Sequence, residues 1–445
     1  MIPYKHQLEG VDFLASRDRA LLLDEMGLGK TITAILAADF VAGRVLVLVP
    51  AVVLYNWERE FGLWAPGLDV QLLDKGTCTV DPDVQVVITT HSLLIRPNIF
   101  KQLVQATWDV TIVDEVHNFR TPTAKRTRAL YGRTGKTPWK VGANRVSCIV
   151  ASSRRVWGLT GTLIPNNVSE LWVHLWGLTP DRMFDDNGVL ITHSRFIARY
   201  CLTKETQWGQ KIVGNRDLRD LKKRMHGLTL RRLKSEVLDL PPIRFETVSL
   251  RPTVLPSKLS LLSSVVLEEM TAVGGLAALK ASEEFTRWRR LSGIAKVPPV
   301  ADLLVQELTD GALDKVVVFA HHKDVIDDLY NRLAPFGAVT ITGSTTQVDR
   351  RDAIDTFQRD DRCRVVICNI LAGGVGVTLH AASEVVFVEL SPVPGENAQA
   401  ADRVHRIGQE TDCRVRFVAL AGTVDVDIVE ILRVKTKMIR EAMSA

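Results

Sequence analysis

An apolar run, Leu21-Leu22-Leu23, leads into Asp24-Glu25-Met26-Gly27-Leu28-Gly29-Lys30-Thr31, and an apolar pattern at helical period follows from Ile32 to Val41. A strand, a glycine turn and a helix in that order constrain the fold more than any other stretch, because together they form a cradle for phosphate. Glycines let backbone N–H groups approach phosphate oxygens, a lysine reaches the β- and γ-phosphates, and the following hydroxyl can ligand Mg²⁺. The helix N-terminus adds its own partial positive charge. Gly27, Leu28, Gly29, Lys30 and Thr31 are therefore the expected nucleotide-binding residues, with ATP and Mg²⁺ as the ligands. The general pattern wants a glycine five residues before Gly29, and Asp24 stands there. Thr134-Gly135-Lys136-Thr137 repeats the Gly-Lys-Thr triplet, but no apolar run precedes it and Pro138 follows. It reads as a basic loop.

A second half-site follows. Val110-Thr111-Ile112-Val113 has the composition of a buried strand and ends in Asp114-Glu115-Val116-His117. Nucleotide hydrolysis needs one carboxylate to hold the metal and another to orient or activate the attacking water. Asp114 suits the first role, beside Thr31, and Glu115 the second; His117 is placed to sense this site. An isolated Asp-Glu pair is usually a solvated loop end. Here a hydrophobic strand delivers it, and a βα repeat fills the interval back to Lys30.

Further on, Arg403 and Arg406 stand three residues apart in Gln399–Gln409, so on a helix they share one face. Two such arginines can clamp a transferring phosphoryl group. The Ala372–Val377 turn, with Gly374 and Gly376, follows an apolar strand run and lets backbone approach a ligand or a nucleic-acid phosphate. The expectation is two α/β lobes with ATP in the cleft between them, the glycine turn from one and the arginines from the other.

At 445 residues the chain is too long for one core. No apolar stretch approaches the length of a transmembrane helix, and MIPYKHQLEGVDFL lacks the apolar region of a signal peptide; a cytoplasmic setting is expected. The 6 cysteines show no CxxC pairing, which argues against a zinc site and fits a reducing compartment. The net charge of +5 is mild, but its distribution is uneven. From Val116 to Ser169 there is no Asp or Glu, while Arg120, Lys125, Arg126, Arg128, Arg133, Lys136, Lys140, Arg145, Arg154 and Arg155 all fall there. Such a stretch suggests contact with a phosphate backbone. A second cluster runs from Arg216 through Arg219, Lys222, Lys223, Arg224, Arg231 and Arg232 to Lys234, diluted by Asp217 and Asp220. It divides evenly between a solvated face and a binding one.

Two series of short apolar strands alternate with helical patterns, the mark of parallel α/β units. The first is Ala20–Leu23, Val45–Val49, Val84–Thr89, Val110–Val113 and Val156–Leu159. The second is Val316–Phe319, Val339–Ile341, Val365–Ile367, Val385–Val388 and Val415–Val418. Between them, about Asn166 to Pro299, lie tryptophans, basic runs and helical stretches such as Ser257–Glu269. Pro241-Pro242 and Pro298-Pro299 are expected to bracket a connector with helical protrusions. Val424–Met443 reads as a terminal helix that packs back on the body.

With these blocks in place, the whole chain resembles the Swi/Snf-type DNA translocases of helicase superfamily two. DEMGLGKT, DEVH and QAADRVHRIGQ are close to that family's motifs. Leu159-Thr160-Gly161-Thr162 resembles the motif that couples ATP to DNA, and Gln7 matches the adenine-reading glutamine. Leu230–Val237 followed by Leu240-Pro241-Pro242 resembles the inter-lobe segment. Val316–Asp324, Asp402–Gln409 and the Gly422-Thr423 region look most like the annealing-helicase branch. The resemblance implies an α/β fold of two RecA-like parallel-sheet lobes with helical protrusions between them. It implies an N-terminal lobe over 1–240, a linker and protrusion over 241–299, and a C-terminal lobe over 300–445. It implies a motor that tracks along duplex DNA, forked or branched in some cases, as a monomer and without a membrane. By the same resemblance, Pro50, Thr90, His117, Arg120, Lys125, Arg126, Thr160, Gly161, Thr162, Gly343, Ser344, Thr378 and Gln399 are DNA-binding or coupling positions. Leu163 stands where the family usually has proline, and no accessory domain fits the remaining sequence. A motor that strips protein from nucleic acid uses the same engine, and an ATP-gated clamp with little turnover is the reading from another class. The intact Lys30, Asp114, Glu115, Arg403 and Arg406 argue against the clamp.

Three sets of residues invite more than they support. His321-His322 has no third metal ligand nearby, so a structural or DNA-proximal role is expected. Trp57, Trp64, Trp172 and Trp176 recur with other apolar residues at helical spacing and read as core. The cysteines read as buried apolar residues.

Overall fold

The computed structural model describes residues 2–132, 148–161, 168–206, 209–251, 283–370 and 377–442, with positions 259, 262, 263 and 266. The loop residues Arg133, Lys136, Lys140 and Arg145, the positions Thr162, Leu163, Gly374 and Gly376, and most of the expected helix Ser257–Glu269 lie outside them. The chain forms two compact units, Met1–Val237 and Leu238–Ala445.

The first unit is built on β1 (Arg19–Leu22), β2 (Val45–Val49), β3 (Val70–Leu73), β4 (Val86–Thr90), β5 (Trp108–Asp114), β6 (Ser153–Leu159) and β9 (Thr229–Leu230). Their order is β3-β4-β2-β5-β6-β1-β9, and each neighbouring pair is parallel. Every residue of β2 and β4 is buried, as expected for valine-rich strands covered on both faces. Between β6 and β9, the helices Leu171–Leu178 and His193–Tyr200, the antiparallel pair β7 (Cys201–Thr206) and β8 (Gly209–Asn215), and the helix Leu218–Met225 follow in order. Trp172, Trp176, Phe196 and Leu221 from this interval share one core with Leu21 and Leu46 of the sheet. The part of the expected helical interval up to Met225 thus packs into the first unit's core, and it contains a hairpin.

The second unit is a sheet of β10 (Ile243–Leu250), β11 (Val316–Ala320), β12 (Val339–Ile341), β13 (Val365–Asn369), β14 (Glu384–Phe387) and β15 (Cys413–Leu420). The order is β10-β15-β14-β11-β13-β12, again parallel throughout. No strand is expected directly after Pro241-Pro242, yet β10 pairs with β15 along its whole length. Its half-buried alternation gives an edge strand, a weaker pattern than the continuous valine runs.

Pro298-Pro299 corrects an expectation. The pair does not end a connector; it sits inside the helix Glu283–Thr309. A proline in a helix interior costs about 3 kcal/mol. Here the helix carries Phe285 and Trp288 into one core cluster and Val297, Val300, Leu304 and Leu308 into another, so burial on both sides of the prolines outweighs their propensity. The terminal helix Asp425–Ala442 packs Ile428, Val429 and Leu432 into the second unit's core. Among the described residues no helix is long and apolar enough to cross a membrane. The cysteines are free, and all but the half-buried Cys78 are buried.

Candidate nucleotide site and basic surfaces

Parallel strands place all their C-terminal ends at one rim, where open α/β sheets bind ligands. Leu22, Leu159 and Asp114 stand level across the neighbouring strands β1, β6 and β5. The three segments that follow them, the glycine turn, Thr160-Gly161 and Glu115–His117, are therefore brought together by register. Gly29 adopts φ 79° as the residue capping the helix Lys30–Val41, a left-handed conformation that favours glycine. A Cβ there would lie 2.2 Å from Gln7 Nε2. Gln7 is buried and donates to the Leu28 carbonyl at 3.3 Å, while its Oε1 accepts from Tyr4 N at 2.9 Å. The helix Lys5–Ala15 is thus seated on the turn. Gly161 touches the turn from the other side: a Cβ would meet Met26 Cγ at 2.7 Å. Lys30 Nζ donates to the carbonyls of Asp24 and Glu25 at 2.7 and 3.2 Å. Thr31 is half-buried at the start of its helix.

Asp114 is the last residue of β5. Its Oδ2 accepts from Trp57 Nε1 and its Oδ1 from Glu115 N, each at 2.9 Å. Trp57 is a core tryptophan, as expected, and also a ligand of this carboxylate; nothing in the sequence links the two. Burial, then the Glu115 carboxylate, push the Asp114 carboxyl up to about 7 against the opposing pull of these hydrogen bonds and of Lys30. Glu115 has φ 47°, rare for a residue with a side chain and costing of the order of 1–3 kcal/mol. Thr160 Oγ1 donates to Glu115 Oε2 at 3.3 Å; His117 Nδ1 lies 2.9 Å from Thr160 Oγ1 and 3.2 Å from Glu115 Oε2. His117, Thr160 and Glu115 thus form one contact group, joining the acidic pair to β6.

The oxygen donors Thr31 and Asp114 suit a hard cation such as Mg²⁺. No group of three or more His, Cys, Asp or Glu suited to a metal occurs among the described residues, so a cation here would share phosphate and water ligands. Because the folded value of Asp114 lies above its unfolded value of about 3.9, the folded chain binds the extra proton between about pH 4 and 7. This group's contribution to stability is therefore greatest below that window and is lost as pH rises through it. Metal binding demands the carboxylate and releases the proton. The rise in melting temperature on adding Mg²⁺ and ADP is expected to be larger at pH 8 than at pH 6, and Asp114→Ala to abolish that difference. Equal shifts at both pH values would contradict this assignment.

Asp24, the departure from the general turn pattern, is buried and paired with Arg232. The second basic cluster therefore splits. Arg231 and Arg232 reach the turn, with Arg231 Nη1 donating to the Leu23 carbonyl, and Lys234 is buried. Arg224 pairs with Asp220 at 3.0 Å, whereas Arg216, Arg219, Lys222 and Lys223 are exposed. In the acid-free stretch, Arg120 pairs with Glu170, the first acid beyond it, at 3.1 Å. Arg120 thus has an acidic partner, and its side chain remains partly exposed. Lys125, Arg126 and Arg128 are exposed on the helix Lys125–Tyr131, whose Thr127, Ala129, Leu130 and Tyr131 are buried. Pro50 follows β2, and the buried Thr90 ends β4 with its hydroxyl 2.9 Å from Ser92 Oγ.

In the second unit, Arg403 and Arg406 do not share a helix face. The helix Pro394–Ala401, which carries the half-buried Gln399, ends before them. A series of turns follows, with Arg403 N donating to Ala400 O, Arg406 N to Val404 O and Gln409 N to Arg406 O. Arg403 is buried and its carbonyl accepts from Leu379 N at 2.9 Å. Arg406 donates through Nε to Asp402 O at 3.0 Å and through Nη1 to Thr378 Oγ1 at 3.1 Å. Burial lowers its pKa from the ordinary value. Gln409 fixes this region from within: its amide donates to Ala382 O at 2.8 Å and its carbonyl accepts from Glu410 N and Thr411 N. Gly343 and Ser344 are exposed in a turn after β12. Glu389 Oε2 accepts from His321 N and His322 N at 2.8 and 2.9 Å, and Oε1 meets His322 Nδ1. Burial pushes Glu389 up, but His322 outweighs it and leaves the carboxyl below its usual range. Both histidines are thus tied to Glu389.

The SNF2-related domain family matches residues 6–259, and the helicase conserved C-terminal domain matches residues 299–408. The SWI/SNF-related matrix-associated actin-dependent regulator of chromatin subfamily A-like protein 1 of Xenopus tropicalis is 30% identical over 98% of this chain and 44% of its own length. The DNA annealing helicase and endonuclease ZRANB3 of Mus musculus is 31% identical over 96% of this chain and 39% of its own. Among solved structures, the Sulfolobus solfataricus SWI2/SNF2 ATPase core in complex with dsDNA covers 99% of this chain and 94% of that chain, with 21% identity and a TM-score of 0.45. By its sequence matches, the chain belongs to the SNF2-related family, as a domain pair of helicase type. It spans less than half the length of these two curated relatives.

Proposed function

We propose that this chain is a DNA-dependent ATPase that moves along double-stranded DNA and remodels forked or branched structures. What supports the reading best is the assembly of the glycine turn, Asp114-Glu115 and Thr160 on three neighbouring strand ends, in a chain of the SNF2-related family. Relatives named as a chromatin regulator and an annealing helicase point the same way. Lys30 would exchange the carbonyls it now contacts for phosphate oxygens, and Glu115 would orient the attacking water. Thr31 and Asp114 would hold Mg²⁺, which supplies charge neutralisation at the phosphates. Gln7 would read the base. Thr160 and His117, bonded to each other and to Glu115, would carry the state of the site toward the DNA. Turnover would need Arg403 and Arg406 of the second unit as well as these residues of the first.

The deciding experiment is the ATPase rate with no nucleic acid, single-stranded DNA, duplex, fork, four-way junction and RNA. Duplex-containing DNA should stimulate most; equal rates across the panel would refute the reading. Lys125, Arg126 and Arg128, exposed on one short helix, are the proposed phosphate-binding side chains. Replacing all three by Gln should weaken duplex binding with little sequence dependence. It should also lower the slope of log affinity against log salt by about 0.9 for each phosphate no longer neutralised. An unchanged affinity and slope would make this helix a solvated face.

A further inference from the structure

Asp24 and Arg232 are far apart in sequence, yet their side chains form a two-pronged buried pair. Arg232 Nε donates to Oδ1 at 3.1 Å and Nη2 donates to Oδ2. Asp24 is 1% exposed and Arg232 8%. Arg232 Nη1 donates to the His6 carbonyl and lies 3.5 Å from Glu9 Oε2. One guanidinium therefore joins the helix Lys5–Ala15, the start of the glycine turn and the segment after β9. Gly10 leaves room for it: a Cβ there would stand 3.0 Å from Arg232 Nη2 and 2.6 Å from Thr33 Cγ2. The backbone makes the same join, with Leu23 N donating to Leu230 O at 2.7 Å and Glu25 N to Arg232 O at 2.9 Å. Lys234 N donates to Glu25 Oε2 at 2.8 Å. The two residues held in this way, Asp24 and Glu25, are those whose carbonyls carry Lys30 Nζ.

Burying a charge pair often gains little stability over an apolar packing, but losing one partner of it is costly. A guanidinium fork matched to a carboxylate also fixes geometry in a way that a point charge does not. We propose that Arg232 is a positioning residue of the nucleotide site. By holding Asp24 it sets the path of the glycine turn and the resting place of Lys30, and through His6 it fixes the helix bearing Gln7 against that turn. It acts through these residues and not on the substrate. The proposal rests on the reading that Lys30 and the glycine turn bind ATP.

The test compares Arg232→Gln, Arg232→Lys, Asp24→Asn and the Asp24→Asn/Arg232→Gln double variant in the full chain, with Lys30→Ala as control. Steady-state ATPase kinetics, affinity for a fluorescent ADP analogue and melting temperature are measured, with kinetics well below each melting transition. Arg232→Gln should raise KM for ATP and Kd for the analogue about tenfold or more, with a smaller change in kcat, the mark of lost ground-state positioning. The double variant leaves no buried charge without its partner. It should recover melting temperature relative to Arg232→Gln but keep the raised KM, and it carries the test if Arg232→Gln does not fold. Arg232→Lys, with charge but no fork, should also keep a raised KM. Wild-type KM and Kd in any folded variant lacking the fork would overturn the positioning role while leaving the ATP reading intact. A wild-type chain without ATPase activity, binding the analogue no better than Lys30→Ala, would take both down.

Discussion

Glu115→Gln is expected to lower ATP turnover by about 10²–10⁴-fold, the usual worth of a positioned general base, while the protein still folds and binds nucleotide. Gln keeps the length and a carbonyl acceptor for Thr160 Oγ1, now 3.3 Å from Glu115 Oε2. What it removes is the charge that would draw a proton from, or orient, the attacking water. The φ of 47° at this position explains why the carboxylate is so placed: the chain turns sharply at the end of β5 and lifts Glu115 away from the strand line that ends in Asp114. Because the backbone cost is the same for both side chains, the melting temperature should change little. Single-turnover hydrolysis and binding of a fluorescent ADP analogue check the two halves separately. Turnover within a few-fold of wild type, in a folded variant, would remove Glu115 from the chemistry.

Arg406→Ala is expected to cost more, about 10³–10⁵-fold in turnover, if the arginine stabilises charge on the transferring phosphoryl group. It belongs to the second unit, whereas Lys30 and Glu115 belong to the first. The variant should therefore bind the ADP analogue nearly as wild type does and fail to turn over. Arg406 also bonds Asp402 O, Val377 O and Thr378 Oγ1, so some local loosening is expected. Arg406→Lys separates the effects: it keeps a cation but not the planar fork, and should remain far below wild type. Near-normal turnover in folded Arg406→Ala would sink the reading in which ATP hydrolysis needs both halves of the chain.

Much of the sheet framework was legible because parallel strands buried on both faces must be continuous apolar runs. Val45–Val49 and Val339–Ile341 coincide with the expected limits, and the ends of others differ by a few residues. The elements missed lack that signature. β3, β9 and β10 are short or half-buried strands at sheet edges, and the β7–β8 hairpin lies in an interval rich in basic and aromatic residues. The helix through Pro298-Pro299 ran against local propensity and forms because of what it buries on either side. Arg403 and Arg406 were legible as a pair but not in their geometry, since nothing local says that the helix stops at Ala401.

Local pattern alone was enough to expect an α/β fold, a glycine turn between a strand and a helix, and a paired carboxylate at a strand end. Those features are local: periodicity, glycine at a turn, a charge after an apolar run. Which distant residues complete them depends on how the chain packs. Packing sets the Trp57 indole on Asp114, Thr160 and His117 on Glu115, and Arg232 on Asp24, and it takes Arg120 into a pair with Glu170. A buried charge or hydrogen-bonding group must find a partner wherever the fold brings one. Strand order, which makes β5, β6, β1 and β9 neighbours, chooses that partner without regard to distance along the chain.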